Sequence, residues 1–208
     1  MIKKTYTAIV NGIPVEENEI SANAAHSMGV DVDPEEENRW QLIDFTLEEK
    51  SAVTIWKALK YVKSLHAKDG YLTQVELKPK TGRYHQLRRH LAWVCKRPIV
   101  GDDEYDGGAE DAMRLRGRGL FLCSNRISLE HPFYNSKEGR SEWDAMSDDA
   151  IKYADGKISL SRDDRVMIEA SIDLPEKFES LLAREEARFF KFSPVIDEKD
   201  DPTQFVVS

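Results

Sequence analysis

The sequence predicts an α+β domain with a mainly antiparallel mixed sheet, a central helix and a C-terminal helix. Three observations lead to this fold class. Segments rich in β-formers, several of them alternating between apolar and polar residues, occupy the first part of the chain. An amphipathic helix pattern lies near the middle, and a second one lies before the C-terminus.

The first strands are predicted from alternation and β-propensity. Residues 4–10 alternate weakly and end at the Asn11-Gly12 turn, and residues 71–77 alternate more clearly. Residues 52–61 are β-rich in their first half, which leaves strand and helix both open. The polar, acidic residues 13–38 predict mostly loop.

The central helix is predicted to start near Arg83, after the break at Thr81-Gly82, and to close before Pro98. Its apolar face is marked by positions i, i+4 and i+7, namely Leu87, Leu91 and Val94.

The second half of the chain predicts fewer regular elements. Residues 101–119 predict a loop with a short helix near Met113. One strand or a bent pair is expected over residues 120–129, and another strand over residues 165–170. The C-terminal helix is expected to begin at Leu174-Pro175.

The expected domain covers residues 1–185, with an acidic insertion at about 133–164. Residues 186–208 are expected to form a disordered tail.

The distribution of charge allows a nucleic-acid partner despite a net charge of −8. Residues 77–101 contain seven basic residues and no acidic one. Local charge matters more than the sum for phosphate contact, because salt screens distant charges within about 10 Å. The alternative is an ordinary solvated face of the protein.

The cysteines and the apolar runs bear on localisation. Cys95 and Cys123 have no metal-like spacing, which indicates reduced thiols in an intracellular compartment, the cytoplasm or an organelle. The sequence contains no apolar run of membrane-spanning length and no signal-peptide pattern.

The most informative stretch is residues 80–91, Lys-Thr-Gly-Arg-Tyr-His-Gln-Leu-Arg-Arg-His-Leu. It predicts a strand end, a glycine turn and a helix start that carries several guanidinium groups, which together form an anion site. A phosphate and a protein carboxylate would both suit it. His85 is expected to be a hydrogen-bonded residue at the helix start, and Asp102 a turn residue.

This stretch resembles the Thr-Gly-Arg-x-His-Gln-(Ile/Leu)-Arg-x-His-Leu signature of the RluA/RsuA-type RNA pseudouridine synthases. The Pro-Ile-Val-Gly-Asp-x-x-Tyr spacing at residues 98–105 resembles the same family. Weaker likenesses extend the resemblance over most of residues 3–185, with residues 13–38 and 132–164 divergent. They lie at residues 4–12, 52–54, 122–124, 131–132 and 174–178.

The resemblance implies that the protein isomerises uridine in an rRNA or a tRNA. No cofactor, no metal and no membrane partner are expected. The target base would be flipped into a pocket and attacked with the help of an Asp carboxylate. By the same resemblance, Arg88 pairs with that Asp, Tyr6 stacks on the uracil, and Leu122 forms part of the pocket. Lys80, Arg83 and Arg89 are expected phosphate contacts, on the basis of charge alone.

The sequence departs from the family at the catalytic Asp. The family's His-Arg-Leu-Asp-x-x-Thr-Ser-Gly motif precedes the strand that matches residues 4–10, and no Asp of this chain has that context. We therefore expect the C-terminal half of a catalytic domain, inactive by itself, with Arg88 left unpaired. The alternatives are a non-catalytic RNA-binding module and a structural protein without RNA affinity.

Overall fold

An antiparallel sheet of eight strands organises the part of the chain that the computed structural model describes. That part comprises residues 2–16, 18–30, 32, 40–106, 113, 119–146, 158–161 and 164–193. The strands lie in the order β2-β3-β4-β5-β1-β6-β8-β7. Their bounds are β1 Ile2–Asn11, β2 Glu19–Ile20, β3 Trp40–Asp44, β4 Val53–Lys63, β5 Tyr71–Pro79, β6 Leu122–Glu130, β7 Ile158–Leu160 and β8 Val166–Ser171.

Four α-helices accompany the sheet in the described ranges, and the predicted α+β class is confirmed. They are α1 Ala22–Ser27, α2 Gln86–Arg89, α3 Lys137–Ala145 and α4 Glu176–Phe192. A π-helical turn at His90–Val94 extends α2, and a 3₁₀ turn at Lys68–Gly70 precedes β5. α2 and α4 are the predicted central and C-terminal helices.

β1 lies inside the sheet, between β5 and β6. Ala8, Ile9 and Val10 are fully buried, so both faces of the strand are covered at this point. An uninterrupted apolar run is what such a position requires. This run explains why residues 4–10 alternate only weakly, although their prediction as a strand is confirmed.

Residues 52–61, for which strand and helix were both open, form the first part of β4. The central helix is shorter than predicted at its start, because it begins at Gln86 and not near Arg83. His85 has a left-handed backbone with φ of 48°, which a helix cannot include. Leu87 and Leu91 are buried as predicted, and the helical segment ends before Pro98.

Residues 13–38, predicted as mostly loop, contain β2 and α1. The hydroxyl of Ser21 caps α1 by accepting from the backbone N–H of Ala24 at 3.2 Å. Ala25 of this helix packs in a small core with Trp40 and Ile55. A six-residue helix has too few periodic positions to be recognised in a polar sequence.

The C-terminal half also contains more structure than predicted. Residues 122–130 form one strand and not a bent pair, and the acidic insertion contains α3. The domain boundary expected at residue 185 lies inside α4, where buried Glu185 accepts from the hydroxyl of Ser64 at 3.0 Å. The expectation of a disordered tail over residues 186–208 is wrong for residues 186–192, which belong to α4. Residues 194–208, and most of the loop around Met113, fall outside the described residues.

A search of the described helices for a membrane span, long enough and sufficiently apolar, finds none.

Candidate functional site

The turn before α2 is held by the side chain of Gln86, which is buried. Its amide nitrogen donates to the carbonyl of Val53 at 3.0 Å and to the hydroxyl of Thr54 at 2.9 Å. Its amide oxygen accepts from the hydroxyl of Thr81 at 2.8 Å and from the backbone N–H of Arg83 at 3.0 Å. One side chain therefore fixes the glycine turn and the helix start against the beginning of β4.

His85 turns the chain into the helix. Its ring nitrogen Nδ1 lies 3.1 Å from the hydroxyl of Tyr105 and 3.2 Å from Nη1 of Arg88. The prediction of a hydrogen-bonded residue at the helix start is confirmed. A non-glycine residue with a left-handed backbone costs conformational energy, which the hydrogen bonds on both sides of this turn offset.

The Arg88 guanidinium is paired within the chain, and the expectation of an unpaired Arg88 is wrong. Its Nε donates to Oδ2 of Asp102 at 2.8 Å, and its Nη2 donates to Oδ1 at 2.7 Å. Oδ1 also accepts the backbone N–H groups of Glu104 and Tyr105, at 3.1 and 3.0 Å. Asp102 is thus a turn residue, as expected, and also the anion of the predicted anion site.

Both members of the Arg88–Asp102 pair are stabilised in their charged forms. Burial alone would raise the pKa of the Asp102 carboxyl, but the hydrogen bonds from Arg88 and from the two backbone N–H groups outweigh it and hold the pKa below its ordinary value. The hydrogen bond to Asp102 likewise raises the pKa of Arg88, against the effect of burial. The Asp102 side chain has 0% exposure and the Arg88 side chain 17%.

The geometry assigns Asp102 a positioning role. Its two oxygens accept four hydrogen bonds in total and are shielded from solvent, so the carboxylate is not available to attack a substrate. It takes the Nε and Nη2 edge of Arg88 in a bidentate pair. Nη1 points the other way, beside the ring of His85.

Strand register places Tyr6 and Leu122 on one face of the sheet. Tyr6 lies opposite Leu77 on β5 and opposite Ser124 on β6, while Ala8 lies opposite Leu122. Residues two apart on a strand share a face, so Tyr6 and Leu122 are diagonal neighbours. Both side chains are half-buried and pack against the main core.

The Arg88 helix packs on this same face. Thr54 and Trp56 share a face of β4, and Trp56 lies opposite Leu77, in the same cross-strand row as Tyr6. Thr54 contacts Gln86 at 2.9 Å and His90 at 3.0 Å, which are on the helix. The structure thereby brings Arg88, Tyr6 and Leu122, the three site residues predicted from the resemblance, to one side of the sheet.

The three predicted phosphate contacts differ in their surroundings. Arg83 is exposed, and its Nε donates to the carbonyl of Ser51 at 3.0 Å. Lys80 is also exposed and lines a cavity of about 120 Å³ whose other lysines are Lys3, Lys4 and Lys78. Arg89 is only 10% exposed and is paired with Glu48 at 2.8 Å.

His90 is buried on the helix next to these arginines. Its Nδ1 lies 3.0 Å from the hydroxyl of Thr54. Burial, together with the charge of Arg89, lowers its pKa to about 4. The imidazole is therefore neutral at pH 7.

Aromatic side chains surround the site, and sequence reasoning did not assign them a role. Tyr105 hydrogen-bonds His85, and its ring lies 4.9 Å from the Arg88 guanidinium. Tyr84 stacks on His85, and Trp93 lies under the Arg89 guanidinium at 4.8 Å. The spacing of residues 98–105 was the available signal for Tyr105. For Tyr84 and Trp93 the sequence offered a weaker signal, because each is an isolated aromatic residue within the basic segment 77–101.

Comparison with known proteins finds similarity to the family that the sequence motif resembles. The model of the family described as RNA pseudouridylate synthase matches residues 1–93. The tRNA pseudouridine synthase C of Vibrio vulnificus is 33% identical over 143 residues, covering 64% of this chain and 54% of that protein. The ribosomal large subunit pseudouridine synthase C of Rickettsia felis is 32% identical over 139 residues, covering 66% and 40%.

The chain spans about half the length of the curated relatives it matches. Among solved structures, human RNA Pseudouridylate Synthase Domain Containing 4 aligns over 88% of this chain and 62% of that chain. The TM-score is 0.43 at 18% sequence identity, which is too distant for residues to be transferred from one to the other.

Proposed function

Because this chain is a relative of the RNA pseudouridylate synthase family, with the family model matching residues 1–93, we propose that it acts in the isomerisation of uridine to pseudouridine in RNA. Arg88 would hold the catalytic carboxylate, Tyr6 would stack on the uracil, and Leu122 would line the uracil pocket. Exposed Lys80 and Arg83 would contact RNA phosphates.

The observation that carries this proposal is the placement of the helix. Arg88, Tyr6 and Leu122 come from a helix and two strands, yet strand register and the contacts of Thr54 put them on one face of the sheet. Residues with three separate roles in one reaction must share one pocket.

The bidentate pair with Asp102 supports a pocket role for Arg88. An arginine that binds a mobile anion must first be held in one orientation, since otherwise binding must also order a long side chain. Asp102 provides that orientation on the Nε and Nη2 edge. A second carboxylate would approach the opposite edge, at Nη1.

The phosphate role suits Arg83 and Lys80 better than Arg89. Exposed cations exchange water and counterions for RNA phosphates at little cost. Arg89 would first have to leave Glu48 and its position over Trp93. We therefore propose Arg89 as part of the support of the helix, and the first two residues as the RNA contacts.

A second candidate is a non-catalytic RNA-binding module. The observation in its favour is that the only carboxylate in bidentate contact with Arg88, within the described ranges, is that of buried Asp102, which is not available to a substrate. RNA binding is common to both candidates, so binding alone does not separate them.

Both candidates are tested by measuring RNA binding and pseudouridine formation in the same samples. The chain is incubated with unmodified tRNA and with rRNA fragments, and pseudouridine is quantified by mass spectrometry of the digested nucleosides. Conversion that is lost in Arg88→Gln and kept in Arg188→Gln, an exposed α4 arginine, would support the enzyme. Binding without conversion is expected of the module and also of a catalytic half-domain tested by itself. Conversion that appears when a family segment carrying the Arg-Leu-Asp motif is fused to the chain would then support the enzyme, and no conversion in that fusion would support the module.

Two outcomes would contradict the assignments. Conversion that survives in Arg88→Gln would show that the carboxylate is held by another residue. A chain that binds neither tRNA nor rRNA at low salt would contradict both candidates. The choice between tRNA and rRNA follows from which one is converted, because the relatives carry both names.

A further inference from the structure

The Tyr84 ring is unusually exposed for an aromatic side chain in a folded domain, at 66%. One of its faces lies on the ring of His85, with centroids 3.8 Å apart and planes 23° from parallel. A stacked pair with one outer face open offers a flat surface of the size of a nucleobase. The ring lies in the turn between β5 and α2, directly beside the Arg88 site.

The ring beneath Tyr84 is held firmly. His85 is fixed by the hydroxyl of Tyr105 at 3.1 Å and by Nη1 of Arg88 at 3.2 Å. The backbone carbonyl of Tyr84 accepts from Nη1 of Arg89 at 3.2 Å. A fixed ring loses little conformational freedom when another ring stacks on it, which favours binding.

Rings and guanidinium groups alternate around this turn. The Trp93 ring, 41% exposed, lies under the Arg89 guanidinium and contacts Tyr105 edge to face with centroids 5.7 Å apart. The exposed guanidinium of Arg83 directly precedes Tyr84 in the chain. Aromatic faces beside cations that reach phosphates are the usual means of binding single-stranded nucleic acid.

From this arrangement we propose that Tyr84 is a stacking platform for an unpaired base of the bound RNA strand, next to the target uridine. The inference rests on the proposed function and extends it to a contact outside the pocket. The target base itself belongs to Tyr6, which lies on β1 within the sheet, whereas Tyr84 lies in a turn outside it. Arg83 contacts the phosphate of the stacked nucleotide.

The platform accepts any base. Stacking uses the π-face that every base has, and neighbouring cations contact the sugar–phosphate backbone, so sequence selection is weak at this position. Arg88 and Arg89 are paired with carboxylates from outside residues 77–101, whereas Arg83 and Lys80 are exposed beside the ring. The exposed cations favour an anionic strand, and the open aromatic face favours one that carries bases over an acidic peptide.

The first experiment measures the affinity of the full chain for a fluorescently labelled single-stranded 12-nucleotide RNA containing one uridine. Tyr84→Leu removes the ring, and we expect the affinity to fall by about 5- to 150-fold, the range for loss of one stacked base. Tyr84→Phe keeps the ring and should remain within about 2-fold of the wild type. Phe190→Leu, on another exposed aromatic, should change nothing.

The dependence on salt separates stacking from charge. Tyr84→Leu removes no cation, so the slope of log affinity against log salt should stay that of the wild type while the affinity itself falls. Arg83→Ala should flatten that slope by about 0.7. A lower slope in Tyr84→Leu would indicate a rearranged site and would overturn the platform.

The second experiment identifies the stacked base. Abasic residues are introduced one at a time into the same RNA, and each is combined with Tyr84→Leu in a double-mutant cycle. We expect the two losses to be non-additive at one position adjacent to the uridine and additive elsewhere. Additive losses at every position, or wild-type affinity in Tyr84→Leu, would overturn the inference and leave the proposed function intact. A wild-type chain that binds no RNA would overturn both.

Discussion

The pair between Arg88 and Asp102 makes a quantitative prediction about stability. We consider Arg88→Gln, which removes the guanidinium and leaves the Asp102 carboxylate with only its two backbone N–H partners. Asp102→Asn is the reciprocal change, and it keeps an oxygen acceptor for those N–H groups. The double variant removes both charges and leaves two neutral amides that can hydrogen-bond each other.

The expected cost follows from the burial of each partner. Breaking a fully buried pair costs about 3–5 kcal/mol, because one charge remains buried without compensation. Asp102 is fully buried, but Arg88 keeps 17% exposure and a carboxylate of Glu104 at 3.3 Å. We therefore expect Arg88→Gln to cost about 3 kcal/mol and Asp102→Asn about 2 kcal/mol. The double variant should cost about 1–2 kcal/mol less than their sum.

The cost of Arg88→Gln should depend on pH. In the wild type the pKa of Asp102 is below its ordinary value of 3.8, so the pair contributes stability above that pH and loses it as the pH falls through the lowered pKa. Arg88→Gln removes the largest cause that lowers this pKa and leaves only the two backbone N–H groups against burial, so the pKa of Asp102 rises from its wild-type value. The variant is then penalised at pH 7, and the penalty disappears as the pH falls towards about 4. The difference between variant and wild type should therefore shrink on acidification.

Urea unfolding followed by tryptophan fluorescence measures these values at pH 7 and at about pH 4. A loss of about 3 kcal/mol leaves a domain of ordinary stability folded, so each variant remains measurable. Strictly additive single-variant costs, or a cost of Arg88→Gln that is the same at both pH values, would refute the description of a buried and coupled pair.

Three further predictions use the same helix and turn. The free energy of unfolding of the wild type should fall by about 2 kcal/mol from pH 7 to pH 5, because His90 has a pKa of about 4 in the folded protein and regains its ordinary pKa of 6.5 on unfolding. His90→Gln should abolish this fall, whereas His66→Gln, at an exposed histidine, should keep it. An equal fall in both variants would contradict the prediction. Gln86→Glu should cost about 3 kcal/mol in urea unfolding, since a carboxylate cannot donate to the carbonyl of Val53; a cost below about 1 kcal/mol would show that this hydrogen bond does not hold the turn. The salt slope of wild-type RNA binding should be about −1.4, the value for the two proposed phosphate contacts of Arg83 and Lys80, and a slope near zero would exclude phosphate contacts.

The fold was predictable where apolar residues have a clear period. Leu87 and Leu91 mark one face of a helix and are buried as expected. The alternation in residues 71–77 likewise gives β5. α1 and β2 were missed because elements of six and two residues show no period. They form only because Trp40 and Ile55, which are distant in the chain, complete a small core with them.

The site was predictable in its residue types and less so in its pairing. The motif predicted Arg88 as a site residue, and its positive charge predicted an anionic partner. The charge did not identify that partner, because a phosphate and a carboxylate both satisfy a guanidinium. What selected Asp102 was the turn at residues 102–105, which aims two backbone N–H groups and the Arg88 fork at one carboxylate. Such an arrangement depends on backbone direction, which residue spacing alone does not specify.

The Arg88–Asp102 pair also bears on the proposed chemistry, because it holds Arg88 without a carboxylate from an Arg-Leu-Asp motif. If Arg88 were held only by a catalytic Asp, then without that Asp it would be a mobile, half-buried charge, and the pocket would be disordered. Asp102 fixes the guanidinium from within the chain and leaves Nη1 beside His85 for another anion. The proposed pocket would therefore be preorganised around Arg88 before a nucleophile binds there. A carboxylate or a phosphate at Nη1 would bind to a guanidinium already in place, and the same preorganisation serves a synthase and an RNA-binding module alike.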